Sequence, residues 1–65
     1  MNEETLKVIA RFPHLKPGVS VAPDVISHGY ARVEIRKDGC LCWRMFEFEA
    51  NFIHELERNL EYVSL

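Results

Sequence analysis

Tyr30-Ala31-Arg32-Val33-Glu34-Ile35-Arg36-Lys37-Asp38-Gly39-Cys40-Leu41-Cys42-Trp43-Arg44-Met45-Phe46-Glu47-Phe48 is a pair of alternating apolar runs joined by Asp-Gly. The pattern specifies a β-hairpin over 30–48, because glycine supplies the positive φ that a tight loop needs. Two loops compete. A two-residue loop at Asp38-Gly39 pairs Lys37 with Cys40. It sets Arg44 beside Val33 and Ile35, and turns Trp43 and Met45 to the other face. A three-residue loop, Lys37-Asp38-Gly39, puts Gly39 in the left-handed position of a bulge and pairs Arg36 with Cys40. It gathers Ala31, Val33, Ile35, Leu41, Trp43 and Met45 on one face. Tyr30, Arg32, Glu34, Arg36, Cys40, Cys42, Arg44, Phe46 and Phe48 then share the opposite one. Burying an unpaired Arg44 costs on the order of several kcal/mol, so the three-residue loop is the expected one. It sets Arg32 opposite Arg44, with Glu34 diagonal to Arg44 and able to offset the repulsion.

Upstream, residues 2–12 read as a helix. Asn2 is the N-cap, Glu3 and Glu4 suit the positive end of the helix dipole, and Pro13 stops it near Phe12. Glu3, Lys7 and Arg11 form an ion-paired stripe, with Leu6, Ile9 and Ala10 opposite. A strand is the rival reading, since Leu6, Val8, Ala10 and Phe12 alternate. Residues 13–29 are punctuated by Pro13, Pro17-Gly18 and Pro23-Asp24. They read as a loop packed on the domain through Leu15, Val19, Val21, Val25 and Ile26. A third short strand at 19–21 would end at Pro23, and a single helical turn over 23–28 would end at Gly29. Downstream, a second helix runs from about Ala50 to Val63, with Asn51 as its cap. Ile53, Leu56, Leu60 and Val63 make its apolar stripe and Phe52 flanks them. Its last turn, without a glycine cap, is expected to fray. The fold class is therefore α+β: a small antiparallel sheet with an N-terminal and a C-terminal helix packed on one face.

At 65 residues the chain reads as a single small domain, 1–65. A domain this short buries only about 60% of its unfolded surface, so oligomerisation is a natural route to more buried area. A hydrophobic content of 48% argues against disorder. The net charge of −2 exerts no global pull on nucleic acid, so any basic site must be local. Cys40 and Cys42 alternate along one strand about 6.5–7 Å apart, at the limit for a relaxed disulfide. They read as reduced thiols, which with the lack of a signal-like or membrane-spanning run points to the cytoplasm.

The outward sheet face is the best candidate for function. Arginine and aromatic residues are enriched at interface hot spots. Tyr30, Arg32, Arg36, Arg44 and Phe46 are the expected partner-binding residues, docking on an acidic protein surface. The reading is a small non-catalytic binding module, an accessory, inhibitory or regulatory protein of the kind found in phages and other mobile elements. The bland counterpart is a solvated face whose aromatics the 13–29 loop covers. Nucleic acid is the first alternative, with bases stacked on Tyr30 and Phe46 and phosphates met by Arg32, Arg36, Arg44 and Lys37. In topology, helix-strands-helix resembles the double-stranded-RNA-binding domains, though an acidic second helix stands where they carry lysines. A structural homodimer is the second alternative. A zinc site from Cys40, Cys42 and His14, His28 or His54 lacks the ligand spacing zinc needs. A nucleophilic Cys with His28 or His54 as base lacks an activating setting. No enzyme activity, metal or cofactor is expected.

Overall fold

The structure is a computed structural model that describes residues 2–25 and 29–65. The elements follow in the order α1 (Glu3–Ala10), β1 (Val19–Val25), β2 (Ala31–Lys37), β3 (Cys40–Phe46) and α2 (Phe52–Val63). The strands form one antiparallel sheet in the order β1-β2-β3. Both helices cover the same side. Val8 of α1 and Phe52, Leu56 and Leu60 of α2 are buried against Val33 and Ile35 of the central strand. The α+β architecture expected from the hairpin and its flanking periodicities is the one observed.

The hairpin combines features of both expected registers. Its loop is the two-residue one: Lys37 pairs with Cys40, and Asp38 and Gly39 both have positive φ, +52° and +86°. Positive φ at both central positions is the mark of a type I′ turn, whose twist suits the flanking strands. The three-residue loop is thus corrected. Yet Trp43 still faces the core, because β3 carries an extra residue. Arg36 pairs with Leu41 but Ile35 pairs with Trp43, leaving Cys42 as a bulge. Beyond it, Met45 lies opposite Val33, and Arg44 lies opposite Glu34 instead of Arg32. Without the bulge, Arg44 would sit across from Val33 in the core. The cost falls on Leu41, expected inside, which pairs with Arg36 on the outer face and is 45% exposed.

The segment read mainly as loop contains a full strand. β1 continues through Pro23 to Val25, in register with Val33 and Ala31, so Pro23 does not end it and residues 23–25 are not helical. β1 has a neighbour on one side only, and a proline is tolerated where its missing N–H points away from that neighbour. Val19 and Val21 pack on the core, whereas Val25 is exposed. Residues 26–28, including Ile26 and His28, lie outside the described part.

Asn2 caps α1 as expected, its Oδ1 accepting from the Thr5 backbone N–H at 2.8 Å. The buried face of α1 is displaced from the expected one. Thr5 and Val8 are buried and Leu6 is exposed. The reason is a polar anchor: the fully buried Thr5 hydroxyl lies 2.5 Å from Glu47 Oε2 and 2.9 Å from Asn2 Oδ1. Its single proton goes to the shorter, charge-assisted contact. The same carboxylate oxygen accepts from the Asn2 N–H, so the start of α1 is tied to the end of β3. Lys7 pairs with Glu3, but Arg11 reaches across to Glu57 of α2 instead of extending the stripe.

Asn51 stands at the start of α2 in left-handed geometry, and its side chain makes no cap bond. The expected helix start at Ala50 thus moves to Phe52. The last turn of α2, expected to fray, is tied to the chain at 14–16. Lys16 N–H donates to the Val63 carbonyl, Leu65 N–H donates to the His14 carbonyl, and Leu15 bridges to Ser64. His54 is exposed on α2, where Arg58 pairs with Glu55.

Two stability measurements check this account. Thr5→Val keeps the shape but leaves Glu47 without its buried donor, and should lower the urea-unfolding free energy by about 1–3 kcal/mol. Gly39→Ala should cost about 1 kcal/mol. No atom lies within 4 Å of the added Cβ, so that loss would come from the positive φ alone.

Candidate functional site

The sheet side away from the helices is formed by alternate residues of the three strands. In register these are Ser20, Ala22 and Asp24 of β1, Arg32, Glu34 and Arg36 of β2, and Leu41, Arg44 and Phe46 of β3. All four expected site residues within the strands, Arg32, Arg36, Arg44 and Phe46, share this face. Tyr30 joins them through Phe48: Tyr30 meets Phe48 edge-on at 4.9 Å between ring centroids, and Phe48 stacks on Phe46 at 5.2 Å. Phe48 is the residue that completes the cluster. It was legible as part of the outward face but was not among the expected binding residues. It is also the most open of the three, 62% exposed, with Tyr30 at 52%. Of the stretch expected to cover these rings, residues 19–25 run as β1 on the far edge of the sheet, separated from β3 by β2, and residues 26–28 lie outside the described part.

The charges on this face are organised around Glu34. Its side chain is only 12% exposed and lies between two arginines of its own strand. Arg36 Nη2 is 3.2 Å from Glu34 Oε2, and Arg32 Nη2 is 3.8 Å from both Glu34 Oε1 and Asp24 Oδ2. Arg36 also donates to the Gly39 carbonyl across the turn. Arg32 is largely covered, and its Nε is buried with no partner. Among the described residues Arg44 makes no ion pair, although it faces Glu34 across the strands. Two of the three arginines are therefore committed within the sheet, and Arg44 is the cation of this face available to a partner.

Three other expectations change. Lys37 lies on the helix side, opposite Val19, and its Nζ donates to the Pro17 carbonyl, so it cannot join the arginines on a common phosphate-binding surface. Cys40 and Cys42 are free and exposed, but neither belongs to the open face. Cys40 pairs with Lys37, and Cys42 borders a cleft with Ile35 and Trp43 on the helix side. Among the described residues no group of three His, Cys, Asp or Glu is placed to hold a metal ion, and no helix is long and apolar enough to cross a membrane. His28 lies outside the described residues.

No protein-family model matches the chain, and no curated protein or solved structure matches it. The function has to be read from the surface itself.

Glu34→Gln removes the charge that holds Arg32 and Arg36 while preserving shape. It should destabilise the fold by about 1–3 kcal/mol. The loss should shrink when unfolding is repeated in concentrated salt, which screens the arginine-arginine repulsion left behind.

Proposed function

We propose that this chain is a small non-catalytic protein-binding module that uses the open sheet face. The observation that carries the reading is the ring cluster Tyr30–Phe48–Phe46, stacked but uncovered, on the face that also presents Arg44. Exposed apolar area of this kind, rimmed by charge, marks interaction sites. Preorganised rings also lose little side-chain entropy when a partner covers them. Arg44 favours a partner with an acidic group beside an apolar patch. Arg32 and Arg36 support the site by holding Glu34, and Tyr30, Phe46, Phe48 and Arg44 make the contact. An accessory or inhibitory role, of the kind small chains of phages and mobile elements play, is the biological setting we infer from size and the binding face.

The alternatives weaken on specific observations. Single-strand nucleic acid needs several free cations around the rings, and here Lys37 faces away while Arg32 and Arg36 hold Glu34. A homodimer through the rings would use the same patch, and its mass distinguishes it.

The test compares wild type with Arg44→Glu, with Phe48→Ser, and with Tyr62→Ser on α2 as an exposed aromatic control. A protein captured from the source cell by photo-crosslinking at position 41, an exposed position of the same face, should be lost with Arg44→Glu and Phe48→Ser and kept with Tyr62→Ser. Circular dichroism should stay native throughout. Equal capture by all four proteins would remove the face from the site. A salt-sensitive gel shift with RNA or DNA would turn the assignment to nucleic acid. A doubled mass in light scattering, abolished by Phe48→Ser, would turn it to self-association.

A further inference from the structure

The other side of the sheet holds a feature that the binding face does not use. A cleft of about 340 Å³ lies between the C-terminal half of α2 and the sheet. Its apolar walls are Val19, Ile35, Trp43 and Val63. The bulge at Cys42 shapes it, since the extra residue both turns Trp43 inward and leaves the Cys42 side chain on the cleft wall. A volume of this size lies within the range of small-molecule sites.

Its charges are of one sign. Lys16 and Lys37 line the cleft, and no carboxylate does among the described residues. Lys16 Nζ donates to the Tyr62 carbonyl at 3.0 Å and lies over the Tyr62 ring, while Lys37 Nζ donates to the Pro17 carbonyl at 2.9 Å. Each ammonium has three donors and uses one on a backbone carbonyl. The nearest acid in sequence, Asp38, lies against Gly18, next to the Pro17 that holds Lys37, but does not line the cleft. The cleft thus carries two cations and no acid in its lining, although the chain as a whole has a net charge of −2.

We propose that this cleft binds a small organic anion with an apolar body, of the medium-chain carboxylate type. The hydrocarbon packs on Val19, Ile35, Trp43 and Val63, and the headgroup accepts from Lys16 and Lys37. Such charge-assisted bonds are the stronger class of hydrogen bond.

Two side chains of the cleft make the test direct. Trp43 is the only tryptophan in the sequence. Cys42 lines the cleft and Cys40 does not. Decanoate, kept below its micellar range, should shift Trp43 fluorescence saturably, and decanol and decylammonium should bind at least about tenfold more weakly. Lys16→Gln combined with Lys37→Gln should weaken decanoate by a similar factor. Decanoate should also slow alkylation of Cys42 by iodoacetamide, read by peptide mass spectrometry, and leave Cys40 unchanged. Should the double variant lose its helical circular dichroism, the wild-type contrast between decanoate and decylammonium, with Cys42 protection, decides alone. Equal binding of decanol or decylammonium would overturn the anion site. No saturable shift, or equal protection of both cysteines, would overturn the cleft as a site.

Discussion

Arg44 lies in the middle of the third strand, between two residues that must face the core, and a strand offers each side chain only one of two sides. The hairpin meets this constraint with one extra residue. The type I′ turn at Asp38-Gly39 starts the ladder in a register that would point Arg44 at Val33. The bulge at Cys42 then turns the rest of β3 over, so that Trp43 and Met45 pack inward and Arg44 meets Glu34. A slip of one residue reverses every side chain of a strand. The bulge is thus a switch of face, and both the open arginine face and the cleft beside Trp43 exist because of it.

Glu34 is the electrostatic counterpart of that choice. A half-covered sheet face with three arginines would repel itself. Placing one nearly buried carboxylate between Arg32 and Arg36, and opposite Arg44, makes the cluster self-consistent. The expected clash of Arg32 with Arg44 does not arise, since Arg32 lies opposite Phe46. The cluster leaves a face whose aromatic end is exposed and whose charged part is largely internally paired.

The rest of the fold is fastened by polar ties between segments distant in sequence. Glu47 holds the N-terminus of α1 through Asn2 and Thr5, and residues 14–16 hold the end of α2. With so small a core these ties matter, because a short chain buries too little surface to rely on packing alone. They also explain why α1 presents Thr5 to the interior and Leu6 to solvent, the reverse of what hydrophobicity suggests. A buried threonine with a charged acceptor is well satisfied, and an exposed leucine costs little.

The sequence by itself determined the hairpin strands, the C-terminal helix, the α+β class and the inward face of β2, and it favoured a helix over a strand at 2–12. Each of these depends on local periodicity, turn chemistry or capping, which act over a few residues. It also put Arg32 and Arg36 on one side of β2, and Arg44 and Phe46 on one side of β3, because alternation along a strand is a local property; that the two sets share a face rests on the bulge at Cys42. Only the tertiary structure decided how the hairpin reconciles its turn with its core, and that β1 runs through Pro23. It likewise decided that Arg32 and Arg36 are engaged while Arg44 is open, that Phe48 joins the rings, and that Lys37 and Cys42 face the cleft. These are matters of which segments meet. A bulge, an edge strand or an ion pair across strands is chosen by the total burial and pairing of both partners, and neither partner's own stretch of chain contains that information.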